Sequence, residues 1–176
     1  MSLPVDLTTR LGRIRLFLCD VDGVMTDGTV LMGSGVEMKR FDIRDGFSLR
    51  LLQQEGIRVG WISARPSGAT TERAKDLKVD FLRQSPAPKV EVIGELLAEL
   101  DIPWDDVCYV GDDIIDLGAL RRAGFSAAPA DARPEVLERV HHVCSHPGGR
   151  GAVREVVELI LRARGYWDAA VAKFAS

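Results

Sequence analysis

Two carboxylates directly follow an apolar run near the start of the chain. Residues 14–19 have the composition of a strand buried on both faces, and Asp20 and Asp22 come immediately afterwards. Gly23 permits the sharp turn that would point both side chains into one pocket. Because like charges repel and are costly to desolvate, a hard divalent cation usually compensates such a pair. One carboxylate could attack phosphorus while the other acts as general acid and then as general base. A polar loop start is the alternative for this motif alone.

A second acidic cluster follows another apolar run. Asp112, Asp113 and Asp116 come after the predicted strand at 107–110. If this segment is helical, Asp112 and Asp116 lie one turn apart on the same face. Acidic residues also favour helix N-termini, which would explain the cluster without any ligand. In a doubly wound sheet, however, the carboxyl ends of parallel strands share one edge, so the two acidic clusters could meet around one cation.

Two further residues have side chains suited to an anion. Ser63 follows the predicted strand at 58–62, where its hydroxyl could bond a phosphoryl oxygen. Lys89 opens a predicted helix over 89–100, where a cation opposes the helix dipole, and this misfit suggests an anionic partner. Taken singly, capping explains the serine and a solvated surface explains the lysine equally well.

A group of possible metal ligands lies near the C-terminal end. Alternation along a strand would place His142, Cys144 and His146 on one side. Pro147 would end that strand, and no fourth ligand is close in sequence. The pattern therefore disfavours zinc and predicts strand-edge and core residues.

Strand-like and helix-like segments alternate along the chain, which predicts an α/β fold. We expect three layers, with helices on both faces of a doubly wound, mostly parallel sheet. Residues 29–42 predict a β-hairpin flap after the first strand, and Asp45 is predicted to cap a helix over 46–55. Because this insertion is too short for a cap domain, we expect one domain over 1–176, with a C-terminal tail at 165–176.

Composition limits the class of partner. The net charge of −3 provides no basic field for nucleic acid, and hydrophobic (46%) and charged (28%) residues are balanced as in a globular protein. The three cysteines are odd in number and lie in or beside apolar runs, as expected for reduced, buried thiols. The first apolar run is too short for a signal peptide or a membrane span, so we expect a cytoplasmic location without membrane contact.

The motifs together resemble the haloacid dehalogenase (HAD) superfamily in order and spacing. Within it, the chain is similar to the capless 3-deoxy-D-manno-octulosonate 8-phosphate phosphatases, over roughly residues 13–160. The residues that carry the resemblance are 20–28, Ser63, Lys89, 111–116, Arg44-Asp45-Gly46 and 148–155. It implies a Rossmann-like HAD fold and a Mg²⁺-dependent phosphatase that acts on a phosphorylated sugar acid through an aspartyl-phosphate. Related enzymes act on acylneuraminate or deoxynonulosonate 9-phosphates, which is the alternative substrate class.

The resemblance also implies roles for the acidic residues. Asp20 would be the nucleophile and a Mg²⁺ ligand. Asp22 would be the general acid and base, with its backbone carbonyl on the metal. Asp112 would be the remaining protein ligand, with Asp113 and Asp116 supporting it.

Further roles follow from the same resemblance. Ser63 and Lys89 would hold the transferring phosphoryl group, and Gly23 would lie beside the substrate. Family members form tetramers through their hairpins, so the resemblance implies a homotetramer here. The tail with Tyr166 and Trp167 would reach a neighbouring subunit's site.

The chain departs from the family pattern in two places. Residues 63–65 read Ser-Ala-Arg where the family often has Thr-Gly-Arg, which keeps the hydroxyl. Residues 84–88 contain two prolines where a glycine usually follows the glutamine. Because that loop affects which sugar fits, the substrate is less fixed than the reaction. Arg44, Arg65 and Arg150 are the candidates for binding a sugar-acid carboxylate.

Two other classes of function compete with a phosphatase. A phospho-receiver module also combines a parallel sheet with Mg²⁺, acids and a lysine, but its phosphorylated aspartate follows a middle strand, where this chain has Ser63. A catalytically inactive HAD-fold module is the second alternative. The full set of carboxylates disfavours it, because unused buried acids lower stability.

Overall fold

A parallel sheet lies at the centre of the computed structural model, which describes residues 5–175 of the chain. The ends of the predicted domain, residues 1–4 and 176, lie outside the described residues. In chain order the strands are β1 (Leu16–Cys19), β2 (Leu31–Gly33), β3 (Val36–Met38), β4 (Arg58–Ser63), β5 (Phe81–Gln84), β6 (Val107–Val110), β7 (Phe125–Ala128) and β8 (His142–Val143).

Strand order explains how distant acidic residues come together. The six-stranded sheet has the order β5-β4-β1-β6-β7-β8, and every neighbouring pair is parallel. β1 lies between β4 and β6, with Cys19 beside both Trp61 and Val110. The chain therefore leaves β1, β4 and β6 at one edge, where ligands bind in open α/β sheets.

Helices cover both faces of this sheet, which confirms the predicted three-layer, doubly wound architecture. They are α1 (Val5–Gly12), α2 (Ile43–Gln54), α3 (Gly68–Asp76), α4 (Lys89–Leu100), α5 (Leu117–Leu120), α6 (Pro134–Leu137), α7 (Ala152–Ala163) and α8 (Trp167–Ala172). Side chains alternate along β1, so that Phe17 joins the core under α2 and α7 while Leu18 joins the core under α4. Burial on both faces explains why β1 is an uninterrupted apolar run.

The start of α2 differs from the prediction. The helix begins at Ile43 and is capped by Asp42, whose carboxylate accepts two backbone N–H bonds from the first turn. Asp45 does not cap it. Its buried carboxylate instead accepts hydrogen bonds from the Gly151 and Arg154 N–H groups, at 3.1 and 2.8 Å. Asp45 therefore joins α2 to the start of α7.

The hairpin insertion is present and narrower than predicted. β2 and β3 pair with each other outside the main sheet, and the turn between them places Ser34 at φ 50° and Gly35 at φ 77°. Its exposed apolar side chains are Leu31, Met32, Val36 and Met38. Val30, the residue before β2, lines a cavity beside Asp20 instead.

The C-terminal tail folds back onto its own chain. Residues Trp167–Ala172 of the tail form α8. Trp167 is only 9% exposed, and the guanidinium carbons of Arg154 and Arg162 lie 4.9 and 5.0 Å from its ring centroid. The extension of Tyr166 and Trp167 towards a neighbouring subunit stays a prediction. Within residues 5–175, no helix has the length and apolar character needed to cross a bilayer.

Candidate active site

Asp20 occupies the position immediately beyond the end of β1. Its backbone N–H bonds the Val110 carbonyl at 2.9 Å, which continues the ladder between β1 and β6 by one residue. The carboxylate is 4% exposed and accepts the Val21 N–H at 2.6 Å. It lines a cavity of about 280 Å³ at the carboxyl edge of the sheet. The hydrogen bonding of the sheet therefore fixes the Asp20 backbone, and the Asp20 side chain lines the cavity.

Lys89 binds two carboxylates behind this cavity. It is the first residue of α4 and is 3% exposed, with its Nζ 2.7 Å from Asp20 Oδ2 and 2.7 Å from Asp116 Oδ1. Tyr109 also donates its hydroxyl to Asp116 Oδ1, at 2.6 Å. Burial alone would lower the pKa of the Lys89 ammonium, but the two carboxylates outweigh burial and raise it. These anions explain a lysine at a helix N-terminus.

Asp112 completes a cluster of three carboxylates. Oxygen atoms of Asp20, Asp112 and Asp116 all lie within 4.8 Å of one another. Burial, reinforced by the charges of Asp20 and Asp116, raises the pKa of Asp112 to about 7. Burial also raises the pKa of Asp20 to about 6, although the Lys89 ammonium opposes that rise. The cluster thus holds more negative charge than one lysine neutralises.

The donor set of this cluster fits a hard divalent cation. Asp112 Oδ1 is buried and has no hydrogen-bond partner among the described residues. A buried carboxylate oxygen without a partner is costly, and a bound cation would remove that cost. In proteins, Mg²⁺ is usually bound through the oxygens of one or two carboxylates. The residues present therefore fit Mg²⁺.

Glycines allow the loop after β1 to pack closely against its neighbours. Gly23 has a φ of 92°, and a Cβ there would lie 2.1 Å from Asp112 Oδ2. A Cβ on Gly148 would lie 1.8 Å from the Gly23 carbonyl oxygen, and the Gly149 N–H bonds the Val24 carbonyl at 2.9 Å. The segment before α7 therefore supports the loop that carries Asp22.

Asp22 lies at the mouth of the cavity between two cations. Its carboxylate oxygens are 2.7 and 2.9 Å from Lys39 Nζ, and Arg65 Nε is 3.4 Å away. The Lys39 side chain is fully buried and also donates to Thr70 Oγ1 at 3.0 Å. Arg65 is held in turn by Glu37, at 2.8 Å. Asp22 thus has a different environment from Asp20, although the two are only two residues apart.

Sequence reasoning missed Lys39 and Glu37. Both lie at the β3 end of the hairpin, where Val36 and Met38 point outwards and the charged residues alternate with them. This pattern is the reverse of an ordinary surface strand, in which apolar residues face inwards. Because alternation alone does not say which side of the hairpin faces the cavity, the sequence carries no signal that singles out Lys39 or Glu37.

Ser63 lies in the same cavity as Asp20. It is 2% exposed, and its Oγ donates to the Arg65 carbonyl at 3.1 Å. The hydroxyl and the Arg65 side chain thus lie on the side of the cavity opposite β6, at the end of β4. This geometry allows both to contact an anion beside Asp20.

Comparisons with known proteins agree with this geometry. Residues 82–156 match the family model described as haloacid dehalogenase-like hydrolase. The chain is 44% identical over 160 residues to the 3-deoxy-D-manno-octulosonate 8-phosphate phosphatase of Yersinia pestis, which covers 90% of this chain and 86% of that enzyme. The corresponding Escherichia coli K12 enzyme is 40% identical over 169 residues, with 96% and 90% covered. The chain belongs to this phosphatase family. It is a phosphoric monoester hydrolase of the HAD type.

A solved structure of another family member adds information about ligands. The enzyme of Moraxella catarrhalis was solved in complex with a magnesium ion, a phosphate ion and a KDO molecule. It superposes on this chain with a TM-score of 0.94 at 36% identity, covering 96% of this chain and 98% of the other. The Yersinia pestis crystal structure gives a TM-score of 0.92 at 42% identity, with 94% and 90% covered.

The other acidic residues of this family member differ from the helical arrangement expected for them. Asp112 precedes the helical segment, so it does not share a helix face with Asp116. A 3₁₀ turn follows at Ile114–Asp116, and Asp113 caps it by accepting the Ile114 N–H at 2.7 Å. Asp116 reaches back and accepts the N–H groups of both Asp112 and Asp113, at 3.1 and 3.2 Å. Asp113 and Asp116 therefore hold this segment in place through its backbone N–H groups, and Asp112 is left to line the cavity.

The three candidate arginines do not come together. Arg65 lines the cavity beside Asp20. Arg44 pairs with Asp42 at 2.9 Å and its side chain is 76% exposed, and both Arg44 and Arg150 line a separate cleft of about 420 Å³ at the start of α7. Within one chain, Arg65 is therefore the one of the three placed to meet a substrate at Asp20.

Proposed function

We propose that this enzyme hydrolyses a phosphorylated sugar acid of the 3-deoxy-D-manno-octulosonate 8-phosphate type. The reaction is Mg²⁺-dependent and passes through an aspartyl-phosphate on Asp20. The observation that carries the proposal is the cluster of Asp20, Asp112 and Asp116 around Lys89, with one buried Asp112 oxygen lacking a partner. The family's named substrate and the KDO-bound relative support the sugar-acid class.

The chemistry divides between the two aspartates of the first loop. A carboxylate oxygen of Asp20 attacks phosphorus, and the bond between phosphorus and the ester oxygen breaks. Asp22 gives a proton to that departing oxygen and then takes one from the water that attacks the phosphorylated Asp20. Cleavage of the acyl phosphate releases inorganic phosphate, restores the Asp20 carboxylate and leaves Asp22 protonated for the next cycle. Asp22 suits this role because it lies at the open mouth of the cavity, while Asp20 lies at its base.

Charge neutralisation falls to the surrounding groups. Lys89 contacts Asp20 directly and balances negative charge at the base of the cavity, while the Ser63 hydroxyl is placed to donate to a phosphoryl oxygen. Asp20, Asp112 and the Asp22 backbone carbonyl would hold Mg²⁺, with Asp113 and Asp116 supporting the segment. Bound there, the metal supplies positive charge to the phosphoryl oxygens.

Arg65 is the proposed contact for the sugar-acid carboxylate. It lines the cavity and has a guanidinium nitrogen, Nη2, that is buried without a hydrogen-bond partner among the described residues. A guanidinium can bind a carboxylate with two parallel hydrogen bonds, which suits a 2-keto acid better than a simple sugar phosphate.

We also propose that the enzyme is a homotetramer whose subunits meet at the β2–β3 hairpin. Four apolar side chains on this small element are more than half exposed: Leu31, Met32, Val36 and Met38. A cleft of about 850 Å³ is lined by residues of the hairpin and of α3, and the hairpin does not pair with the main sheet. Apolar surface of this kind marks an interaction site.

Phosphate release with Mg²⁺ tests the proposed activity. The panel contains octulosonate 8-phosphate, nonulosonate 9-phosphates and simple hexose phosphates. We expect preference for the octulosonate ester and loss of activity in EDTA. A preference for a nonulosonate ester would move the enzyme to that substrate class, and flat activity across the panel would contradict a sugar-acid substrate.

Two substitutions test the roles of the first loop. Asp20→Asn should reduce turnover by about 10³-fold or more because the nucleophile is lost. Asp22→Asn should slow breakdown of the phospho-enzyme, which rapid acid quench with labelled substrate would detect. The exposed Asp168→Asn, which also removes one carboxylate, is the matched control and should retain full activity. Retained turnover in Asp20→Asn would overturn the nucleophile assignment.

A further inference from the structure

A second group of metal-ligating side chains lies at the opposite edge of the sheet from β5. His142 belongs to the edge strand β8, Cys144 follows it, and Glu155 lies in the first turn of α7. A histidine nitrogen, the Cys144 sulfur and a Glu155 oxygen all lie within 4.8 Å of one another. None of the three lines the cavity that contains Asp20.

Glu155 is the centre of this group. Its Oε1 is 2.9 Å from His142 Nε2, and its Oε2 is 2.8 Å from His146 Nδ1. The Ser145 N–H donates to both oxygens, at 3.1 and 2.9 Å. Burial would raise the pKa of Glu155, but hydrogen bonds from His146, His142 and Ser145 outweigh burial and lower it. These three neighbours therefore hold the carboxylate in one orientation.

Cys144 adds a sulfur to these nitrogen and oxygen atoms. Its side chain is 3% exposed, and its Sγ has one hydrogen-bond acceptor in the structure, the Ala152 carbonyl at 3.7 Å. The Cys144 N–H bonds the Ala128 carbonyl and continues the pairing of β8 with β7, so the side chains of His142 and Cys144 lie on one side of the chain. His146 follows a bend and joins the group through its contact with Glu155. The start of α7 brings Glu155 to the same side.

We propose that His142, Cys144, His146 and Glu155 form a second metal site, which takes a divalent cation of the zinc class. Sulfur and imidazole ligands favour zinc-like metals over Mg²⁺, and four protein ligands are typical of a closed, structural site. On binding, the thiol proton of Cys144 passes to solvent and the thiolate bonds the metal. The sequence pattern disfavoured zinc because no fourth ligand was near. Glu155 is that ligand, supplied by the next helix.

The position of the site indicates a structural role. The segment between Cys144 and α7 contains Gly148 and Gly149, which pack against the loop after β1. A metal joining β8 to the first turn of α7 would hold both ends of that segment. We therefore expect the metal to stabilise the protein without taking part in the reaction.

Cobalt absorption tests the proposal on the full-length, metal-stripped protein. With excess Mg²⁺ occupying the active site, Co²⁺ should bind with one equivalent per chain and produce thiolate-to-cobalt charge-transfer absorption. Cys144→Ser should lose that absorption, and Cys108→Ser, which removes another fully buried thiol, should keep it. The same absorption should persist in Asp112→Asn, whose active-site cluster is altered.

Zinc retention provides a second readout. After dialysis against Zn²⁺ and then buffer with Mg²⁺, the wild type should retain one zinc more per chain than His142→Asn or Glu155→Gln. Equal zinc content in the wild type and these variants, or cobalt absorption that survives Cys144→Ser, would overturn the site. Phosphatase activity plays no part in either measurement, so the proposal can fail while the proposed function holds.

Discussion

Among single residues, Lys39 joins the hairpin to Asp22 in the loop after β1. Its buried ammonium contacts both oxygens of Asp22, and Thr70 completes its environment. Asp22 is more exposed than Asp20 and has fewer backbone contacts to fix its side chain. We therefore propose Lys39 as a positioning residue, which would act on the reaction through the orientation of Asp22.

Replacing Lys39 by methionine should lower kcat about 10-fold, which corresponds to about 1.4 kcal/mol. Methionine keeps most of the volume but leaves the Asp22 carboxylate free to turn, so kcat should fall more than KM rises. Steady-state kinetics on the preferred ester would measure this. Lys75→Met on the exposed side of α3 is the matched control and should leave both constants unchanged. An unchanged kcat in Lys39→Met would show that Asp22 is positioned by other groups.

At the level of elements, glycine positions matter most where two loops touch. Gly148 leaves no room for a side chain against the Gly23 carbonyl, whereas a Cβ on Gly94 in α4 would meet nothing within 4 Å. Substitution by alanine should therefore change the stability of the protein in opposite directions at the two positions.

Gly148→Ala should destabilise the protein by about 1–3 kcal/mol, the cost of inserting volume into a packed site. It should also reduce activity, because it displaces the loop that carries Asp22. Gly94→Ala should stabilise the protein by about 0.5–1 kcal/mol, since alanine favours a helix interior over glycine. Urea unfolding of both variants measures the difference. Equal stability of the two would contradict the close packing of the loops.

The elements that could be predicted from sequence are those with strong periodicity. The predicted helix over 89–100 and the predicted strand at 107–110 have the bounds that the structure gives to α4 and β6. No helix was predicted over α1, a short element in which Leu11 is fully buried and Leu7 packs against the core. The start of α2 was misplaced, because Asp42 and Asp45 are both plausible caps and the true partner of Asp45 is α7, more than a hundred residues further on.

The residues of the candidate site also divide into those that could be placed from sequence and those that could not. Asp20 and Asp112 could be placed together from sequence, because strand ends of a parallel sheet share one edge. Lys39 could not, because its position depends on how the hairpin folds over the loop after β1. The convergence of Glu155 with His142 depends likewise on the docking of α7 beside an edge strand.

For the whole molecule, the buried carboxylates make the stability of the metal-free protein depend on pH. The pKa values of Asp20 and Asp112 rise from 3.8 in unstructured chains to about 6 and about 7 in the fold. Below pH 3.8 both states hold these protons. As the pH rises, the unfolded state loses them first, so the folded state becomes relatively less favourable until its own groups ionise near pH 7.

The free energy of unfolding contributed by these groups should therefore fall between about pH 4 and pH 7. Denaturant unfolding in EDTA measures it, and Asp112→Asn should flatten the dependence because it removes one of the two groups. Mg²⁺ at 100 times its Kd should restore about 2.7 kcal/mol at neutral pH. If the free energy of unfolding depends on pH in the same way in the wild type and in Asp112→Asn, the carboxylate cluster does not control this stability.

The exposed hairpin should control the assembly of the whole molecule. The double substitution Met32→Gln and Met38→Gln removes apolar contact area while keeping the strands, so we expect a lower mass by light scattering. Val171→Gln on α8 replaces another exposed apolar residue, outside the hairpin, and should leave the mass unchanged. An unaltered tetramer in the double variant would place the interface elsewhere.

The contact between Gly149 and Val24 also has a consequence for synthesis. The loop that carries both aspartates leaves the ribosome before its supporting segment, which follows some hundred and twenty residues later. At about 5–20 residues per second, the interval is on the order of ten seconds. During this interval the nascent chain can form its first strands and the loop after β1, but the segment that packs against that loop has not yet been synthesised. We therefore expect a message broken before α7 to yield an inert fragment, because catalytic competence requires the segment that packs against the loop after β1.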